Sequence, residues 1–358
     1  MVIADLYLPQ DAAAAATTAC GAIPGMERAG RFGGRSVLAG GWRTAIARLI
    51  GRPDLGAAAP ARVAAAALAT ATRAPANDAT LWIATPVHLS AGLARVYLDH
   101  AGLLRLQPPE LAVLETEFGR TFGSAGLTLA SFASGDLLLR TPGLAALPTT
   151  EPARCAGADV ARSLPQGPTA GELRRLVAEI EMWLHTQPLN EVRQRRGELP
   201  VTTLWPWGAQ GEGARVVAGA TDAAGAAAPG AATPGAAAAQ ELPEAYGRDA
   251  WLQGLWRLLG GTCRAVPAQL EELLAATSAR RAVLVTEVGE ELQRGGGGTV
   301  IEALARLDAR FVSPAWRALA RGALTSFTLI VNDVGVRADR ASRFKIWRRR
   351  RAGLRAFA

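Results

Sequence analysis

The stretch from Glu179 to Gly208 concentrates the residue types that could do chemistry in this chain. Its candidates for contacts with a ligand are His185, Asn190, Arg193, Trp205 and Trp207. Arginine and the N-terminus of a helix both favour negatively charged oxygen groups, so the stretch predicts a site for an anion. The alternative interpretation is a well-packed structural corner, because clusters of polar residues mark functional sites only in some proteins.

Three elements are expected to position these residues. Apolar residues at spacings of three and four predict a helix from Glu172 to Thr186, and Pro188 ends it. Asn190 is expected to cap a short second helix. β-Branched and aromatic residues predict a strand from Val201 to Trp207. The sharp turn between the helices then directs the histidine, the asparagine and the arginine toward one corner.

His88 is another histidine with two interpretations. It follows a predicted strand, and Ser90 stands two residues further on. A hydrolase with a Ser-His-acid triad would carry its nucleophile on a sharp Gly-x-Ser-x-Gly turn, and the sequence has no such motif. His88 is therefore expected to be a structural residue at the end of a strand. Alternatively, it joins the polar residues of the first stretch in a small-molecule site.

The same stretch carries a resemblance to known families. The residues that carry it are His185, Pro188, Asn190, Arg193, Gly197, Pro200, Trp205, Trp207 and Gly208. In this spacing they resemble a signature of archaeal-type cofactor-independent phosphoglycerate mutases. They are still more similar to a proteobacterial family of phosphoglycerate-mutase-like proteins, also described as regulatory proteins of the RpfE type. The resemblance covers about Leu81 to Gly208 and continues more weakly to the end of the chain.

The chain departs from the pattern of the resembled family at several polar positions. A second family histidine is Gln187, and the asparagine that opens the family's helix is Ala178. A further asparagine is replaced by Thr202, and the aspartate of an Asp-Pro-Val-His-Leu motif is replaced by Thr85. These departures weigh against transferring an activity to this chain.

The resemblance implies two metal ions, a serine nucleophile and a set of aspartate and histidine ligands, as two-metal phosphoryl transfer requires. The strand nearest to the family's late ligand motif is Val283 to Val288, and no histidine follows it. Asp5 stands alone near the start of the chain. Metals of this class favour imidazole together with carboxylate ligands. We therefore expect no metal site, no cofactor and no catalytic residues.

Alternating strand and helix patterns predict an α/β or α+β fold, with helices packed on a mixed sheet. The resemblance implies a degenerate alkaline-phosphatase or phosphoglycerate-mutase-like architecture. Residues 1–75 are predicted to form a mostly helical arm, and residues 76–220 a mutase-like α/β region. A flexible insert of alanine, glycine and proline is predicted at 221–245. Residues 246–358 are predicted to form a C-terminal α/β part that ends in a basic helix.

The net charge of +8 is located in the tail. Eight basic residues and no acidic ones lie from Arg340 to Arg355, and the other 31 basic residues equal the 31 acidic ones in number. Such a tail could attract nucleic acid or an anionic membrane, above all through Arg348, Arg349, Arg350 and Arg351. The alternative is a solvated terminal helix, because a charge run is only compositional information.

The three cysteines are isolated and have no metal-ligand spacing, which favours a reducing cytoplasm over a disulfide framework. The start of the chain lacks the features of a secretory signal, and no apolar run is long enough to predict a membrane span. The sequence thus predicts a cytoplasmic protein without catalytic activity that has a regulatory or anion-binding role. Its expected partner is a phosphorylated or carboxylate small molecule, or another protein. The alternatives are an active mutase or phosphatase-type enzyme, and a protein that binds nucleic acid or membranes through its tail.

Overall fold

The structure is a computed structural model. It describes residues 1–6, 22–68, 79–93, 95–166, 170–210, 242–276, 281–294, 298–331 and 333–344. These residues form two sheets with helices packed on them, which confirms the predicted mixed α/β class. None of the helices in these ranges combines the length and apolar character needed to cross a membrane.

The strands of the described residues are, in chain order, β1 (Val2–Ile3), β2 (Gly34–Val37), β3 (Ala79–Ala91), β4 (Val96–Leu103), β5 (Thr128–Ser131), β6 (Leu137–Pro142), β7 (Ala158–Asp159), β8 (Thr203–Trp207), β9 (Glu244–Tyr246), β10 (Cys263–Arg264), β11 (Ala282–Thr286), β12 (Ser326–Val331) and β13 (Val334–Asp339). The α-helices are α1 (Pro24–Phe32), α2 (Gly41–Leu49), α3 (Pro53–Ala57), α4 (Pro60–Ala65), α5 (Pro108–Phe122), α6 (Ala170–His185), α7 (Pro188–Arg195), α8 (Ala250–Leu258), α9 (Leu270–Ala276), α10 (Val288–Arg294), α11 (Val300–Leu307) and α12 (Ser313–Arg321). A π-helical turn, Asp308–Val312, joins the last two helices.

The first sheet has the strand order β10-β9-β11-β1-β12-β13-β2. The strands from β10 to β12 are parallel to their neighbours, and β13 and β2 extend one edge in antiparallel pairing. The carboxyl ends of parallel strands meet at one edge of a sheet, which is where open α/β sheets bind ligands. Residues that directly follow β1, β9 and β11 therefore come together.

The interior strand β11 shows why this sheet is buried on both faces. Leu284 packs into one apolar core, and its neighbours Val283 and Val285 pack into another on the opposite face. Alternate residues of a strand point to opposite faces, so a continuous apolar run suits a sheet that helices cover on both sides.

The second sheet has the order β5-β6-β3-β4-β7, and β8 also pairs with β3. All of its pairings are antiparallel. Residues of α5, α6 and α7 pack against one side of it, in a core that includes Trp82, Phe118 and Trp183. Residues 79–207 supply all strands of this sheet, whereas the first sheet joins β1 and β2 to strands near the other end of the chain.

Parts of the predicted segments lie within the described residues, so they can be compared with the observed elements. The predicted helical arm contributes β1 and β2 to the first sheet as well as helices. Most of the predicted flexible insert lies outside the described residues, but its end belongs to β9, where Ala245 is buried between two neighbouring strands. Of the predicted basic terminal helix, Arg340–Phe344 forms a 3₁₀ turn, and residues 345–358 lie outside the described part.

Candidate functional site

The corner around α7 uses the polar groups of Asn190 for internal hydrogen bonds. Its side-chain Nδ2 donates to the carbonyl oxygens of Leu184 and Val201, both at 2.9 Å, and its Oδ1 accepts from the Val201 backbone N–H at 2.7 Å. The sequence predicted that Asn190 caps this helix, and that prediction is wrong. The N-cap is Gln187, and Pro188 opens the helix. The asparagine instead ties the end of α6 to the segment that enters β8.

Arg193 is also held inside this corner. Its Nη1 donates to Oε1 of Glu110 at 2.8 Å, and its Nε donates to the Leu199 carbonyl at 2.8 Å. The side chains of Arg193 and Glu110 are only 6% and 7% exposed. The other oxygen of Glu110 accepts from the backbone N–H of Gln107 at 2.7 Å and so completes the cap of α5. The guanidinium charge is thus neutralised within the fold and joins α7 to α5.

The remaining predicted site residues lie in other surroundings. His185 is exposed at the end of α6. Nδ1 of His88 lies 2.9 Å from the Pro200 carbonyl, so this ring nitrogen donates the hydrogen bond. Nε1 of Trp205 donates to the Thr150 carbonyl at 2.8 Å. Of the six predicted residues, Trp207 alone lines the smaller of the two cavities described below.

A cleft of about 670 Å³ lies between the two sheets. The second sheet contributes Arg105 and the turn between β5 and β6, and the first sheet contributes Arg248, Glu290 and Arg294, which follow β9 and β11. The cleft therefore lies at the carboxyl edge of the parallel strands. Its volume falls within the range of roughly 300–1,000 Å³ that is typical of small-molecule sites.

A smaller cavity of about 30 Å³ adjoins the cleft at Arg105. The titratable residues that line it form what we call the charge cluster: Asp5, Arg43, Arg105, Asp136, Glu151, Asp249 and Glu287. Three of the acidic residues follow β1, β9 and β11, and so reach the cavity because parallel strands end at one edge. The cluster contains five carboxylates and two arginines.

Arg105 contacts carboxylates of both sheets. Its Nε donates to Oε2 of Glu287 at 2.8 Å, its Nη2 donates to the same oxygen, and its Nη1 lies 3.8 Å from Oδ1 of Asp136. Burial alone would lower the pKa of Arg105, but Glu287, Asp136 and Asp5 raise it above its ordinary value. The guanidinium therefore stays charged in the interior.

Asp136 is positioned by neighbours other than the arginine. Oγ1 of Thr85 donates to its Oδ1 at 2.7 Å, and Oγ of Ser134 donates to its Oδ2 at 3.0 Å. Nε1 of Trp207 in turn donates to Oγ1 of Thr85 at 3.0 Å. Thr85 stands where the resembled family has an aspartate, so this departure places a hydroxyl inside the cluster.

Arg43 neutralises another part of the cluster. Its two terminal nitrogens donate to the two oxygens of Glu151 at 3.0 and 2.8 Å, and Nη2 lies 3.7 Å from Oδ2 of Asp249. The guanidinium carbon lies 4.5 Å from the ring centre of Trp42 and 4.8 Å from that of Trp207. Carboxylates and aromatic faces both stabilise a buried cation, so this arginine is firmly fixed.

Asp5 binds the N-terminus of α10. Its two oxygens accept from the backbone N–H groups of Val288 at 2.5 Å and Gly289 at 2.8 Å. A Cβ atom on Gly289 would lie 3.1 Å from Oδ2 of Asp5, so the glycine permits this close approach. The backbone N–H groups at the start of α10 thus stabilise the carboxylate of Asp5, which stands alone in the sequence.

Burial shifts the acidic residues of the cluster toward their neutral forms. It raises the pKa of Glu287 well above its ordinary value, and the charges of Asp5, Glu290 and Asp136 add to this effect while Arg105 opposes it. Burial likewise raises the pKa of Asp5 and of Asp249. The acidic residues of the cluster outnumber its arginines, and perturbed groups beside a cleft are a marker of functional sites.

His100, in β4, is the histidine that the sequence did not single out. It is 7% exposed, and its Nε2 has no hydrogen-bond partner within the described residues. Burial lowers its pKa, while the charges of Asp5 and Asp99 act in the opposite direction. Burial therefore favours the neutral imidazole, and Asp5 of the cluster acts on it electrostatically.

One sequence signal could have found part of the cluster. Asp5 and Glu287 each come directly after a short apolar strand pattern, and acidic residues at the carboxyl ends of parallel strands often face a common site. Arg43 and Arg105 gave no such signal, because each belongs to a distant segment whose position depends on the packing of the two sheets.

The two divalent metal ions that the resemblance implies do not fit this donor set. Across the described ranges, no group of three or more histidine, cysteine, aspartate or glutamate residues is arranged to hold a metal ion. The carboxylates of Glu287 and Glu151 accept hydrogen bonds from guanidinium groups, and that of Asp5 accepts from backbone amides. The predicted tail site, Arg348 to Arg351, lies outside the described residues.

No protein-family model and no curated protein matches the chain. Among solved structures, the chain is similar to a cofactor-independent phosphoglycerate mutase from Thermoplasma acidophilum DSM 1728. The identity is 16% and the TM-score 0.36, over 88% of this chain and 82% of that one. It is also similar to the PH0037 protein from Pyrococcus horikoshii, with 13% identity and a TM-score of 0.41, over 93% of this chain and 84% of the other. Likenesses of this size concern the fold alone, and the resemblance to the proteobacterial family stays a prediction.

Proposed function

We propose that this protein is a phosphoglycerate-mutase-like binding protein without mutase activity. Its ligand is a phosphorylated or carboxylate small molecule, which it binds in the cleft between the two sheets, and its role is regulatory. The observation that carries the proposal is the set of three arginines, Arg105, Arg248 and Arg294, along one cleft at the carboxyl edge of parallel strands.

One arginine that lines the cleft, Arg294, shares an acidic partner with two arginines outside the cleft lining. Arg294, Arg306 and Arg310 all make ion pairs with the buried Glu291. Burial lowers the pKa of Arg294, and the nearby charges of Arg310, Arg248 and Arg306 lower it further, against the effect of Glu290. A group of cations that repel one another attracts an anion, so this part of the cleft suits a phosphate or carboxylate.

The geometry favours binding over metal-dependent phosphoryl transfer. The acidic residues that follow the parallel strands are engaged by arginines and backbone amides, as described above. A two-metal mechanism needs those oxygens as metal ligands. The cleft therefore offers three arginines to an anion, beside the two lining glutamates Glu115 and Glu290, without the ligand set that the mutase reaction requires.

Titration calorimetry tests the proposed binding. We expect inorganic phosphate and 3-phosphoglycerate to bind, and glycerate measures the contribution of the carboxylate alone. Each of Arg248→Gln and Arg294→Gln should weaken 3-phosphoglycerate binding by about tenfold, as the loss of one charge-assisted contact implies. Arg257→Gln is the matched control, because Arg257 is exposed on α8 outside the cleft.

Two results would count against this function. Equal affinities in the cleft variants and in the control variant would show that the cleft is not the site. Turnover of 3-phosphoglycerate, stimulated by added Mn²⁺, would instead establish the alternative of an active mutase or phosphatase-type enzyme. Binding should also weaken as salt concentration rises, since screening reduces the attraction between exposed charges.

A further inference from the structure

We propose that the ligand of the cleft is an amphipathic organic anion, in which a phosphate or carboxylate head is joined to an uncharged, apolar body. The head lies against Arg248 and Arg294, and the body covers small apolar residues of the same cleft. This inference rests on the proposed function, because it names the class of ligand for the same site. It goes further in that a phosphorylated three-carbon acid is not the preferred ligand.

The cleft has what we call the apolar wall, formed by five small residues from three segments. Helix α5 contributes Pro108 and Ala112, the turn between β5 and β6 contributes Ala133, and the segment after β10 contributes Ala265 and Val266. Val266 is half-buried and the other four are exposed. Apolar surface that faces water in a concave site gains free energy when a ligand covers it, so this wall favours a ligand with apolar surface of its own.

The size of the cleft also favours a ligand with a sizeable body. Its volume of about 670 Å³ lies well above the lower end of the range of roughly 300–1,000 Å³ that is typical of small-molecule sites. A phosphate ion or a three-carbon acid bound at the arginines would leave much of the apolar wall facing water. A larger apolar body would displace that water, and affinity rises with the apolar area that is covered.

Arg248 and Arg294 provide the place for the anionic head. Both are exposed in the cleft, and Arg248 makes no ion pair with another described residue. Burial lowers the pKa of Arg294, and the charges of Arg310 and Arg248 lower it further, against the effect of Glu290. The guanidinium charges of Arg248 and Arg294 therefore act on each other, and one anionic head can relieve the repulsion between them.

Two glutamates of the lining favour an uncharged body. Oε1 of Glu115 accepts a hydrogen bond from the backbone N–H of Ser131 at 2.6 Å, which joins α5 to β5 beside the cleft. Glu290 lines the cleft on the other side, at the start of α10. A ligand with negative charge along its whole length would meet these carboxylates, and like charges brought together in a binding site cost affinity. The anionic group is therefore expected at one end of the ligand.

Titration calorimetry with matched pairs of small molecules tests this inference. The first pair, 1-naphthyl phosphate and inorganic phosphate, shares the phosphate head and differs in the apolar body. We expect 1-naphthyl phosphate to bind about tenfold more tightly, since covering roughly 60 Å² of apolar surface corresponds to that gain. The second pair is 1-naphthoate and acetate. A gain in both pairs supports the inference with either head, and a gain in the first pair alone supports it with a phosphate head.

Substitutions that fill the apolar wall make the test specific to the cleft. Ala112→Trp should remove the advantage of 1-naphthyl phosphate and leave phosphate affinity unchanged, because it alters the wall and no arginine. Val113→Trp is the matched control, since Val113 is exposed on the same helix outside the cleft lining. Ala265→Trp fills the wall from a different segment and replaces Ala112→Trp if that variant does not fold.

Two results would overturn the inference while the proposed function stands. The first is equal affinity for 1-naphthyl phosphate and inorganic phosphate, with both weakened by Arg248→Gln. The second is an advantage of 1-naphthyl phosphate that persists in the folded wall variants Ala112→Trp and Ala265→Trp. If the wild type binds neither molecule, or if Arg248→Gln and Arg294→Gln leave phosphate affinity unchanged, the proposed function itself fails and this inference fails with it.

Discussion

The corner around Asn190 and the charge cluster around Arg105 are both buried and polar, but they differ in how their groups are balanced. In the corner, the asparagine and Arg193 find partners chiefly between residues 184 and 201, together with Glu110. In the cluster, residues from position 5 to position 287 meet around one cavity, and five carboxylates face two arginines. The corner is a closed structural unit, whereas the cluster has more acidic residues than arginines and lies beside a cleft.

This difference sets the candidate site apart from the other buried polar region. Most buried polar groups in proteins have hydrogen-bond partners, and the corner follows that rule with neutralised charges. The cluster obeys it for hydrogen bonds, yet the pKa values of Glu287, Asp5 and Asp249 are raised. An excess of acidic residues with raised pKa values, rather than the mere presence of histidine, asparagine and arginine, therefore distinguishes the candidate site.

The largest expected effect tests the structural role of the corner. Arg193→Met leaves the carboxylate of Glu110 buried without its cation, which should destabilise the protein by about 3–5 kcal/mol. Chemical denaturation measures this loss, and Glu110→Gln in the same chain should recover part of it. A loss below about 1 kcal/mol, a size typical of exposed ion pairs, would break the comparison by showing that the corner does not depend on this pair.

A substitution at the start of α10 tests how tightly the cluster is built. Gly289→Ala places a Cβ atom 3.1 Å from Oδ2 of Asp5, and we expect a destabilisation of about 1–3 kcal/mol from overpacking. Gly119→Ala is the matched control, because Gly119 lies in α5 with nothing within 4 Å of its added Cβ. That control should stabilise the helix by about 0.5–1 kcal/mol. Equal effects at the two glycines would mean that Asp5 can move freely.

The pH dependence of stability tests the excess of carboxylates. Glu287 has a raised pKa in the folded state, so folding takes up a proton, and its contribution is present at low pH and lost as pH rises above its ordinary value of 4.5. The free energy of unfolding of the wild type should therefore fall relative to that of Glu287→Gln above pH 4.5. The slope is at most about 1.4 kcal/mol per pH unit for one proton.

The Glu287→Gln comparison is needed because other groups act in the opposite direction. Burial lowers the pKa of His100, so its contribution to stability is lost as pH falls below its ordinary value of 6.5. Denaturant unfolding at a series of pH values gives both curves. If the free energy of unfolding of the wild type stays constant or rises relative to that of Glu287→Gln above pH 4.5, Glu287 is ionised in the folded protein at all these pH values.

The smallest effect is expected at His185. Its side chain is exposed at the end of α6, so His185→Ala should change the free energy of unfolding by less than about 0.5 kcal/mol. It should also leave 3-phosphoglycerate affinity unchanged in calorimetry. A clear loss of affinity would mean that the ligand binds at the predicted corner around Asn190. The corner, and not the cleft beside the charge cluster, would then be the functional site.

Local elements were predictable because their signals are short in range. The helix predicted at 172–186 is observed at Ala170–His185, and the strand predicted at 201–207 is observed at Thr203–Trp207. Periodic apolar residues and a proline were enough for these. The cap at Asn190 was predicted wrongly, because Pro188 can open a helix as well as end one, and here it opens α7.

The sequence by itself determined the mixed α/β class, the apolar parallel strands and the concentration of positive charge in the tail, since composition and periodicity carry these properties. Tertiary structure alone decided that Asp5, Asp249 and Glu287 share one cavity and that Arg43 and Arg105 enter it. The physical reason is that strand order and the docking of two sheets set distances between segments hundreds of residues apart. Burial at that junction, which no local pattern encodes, then sets the charges of the side chains that meet there.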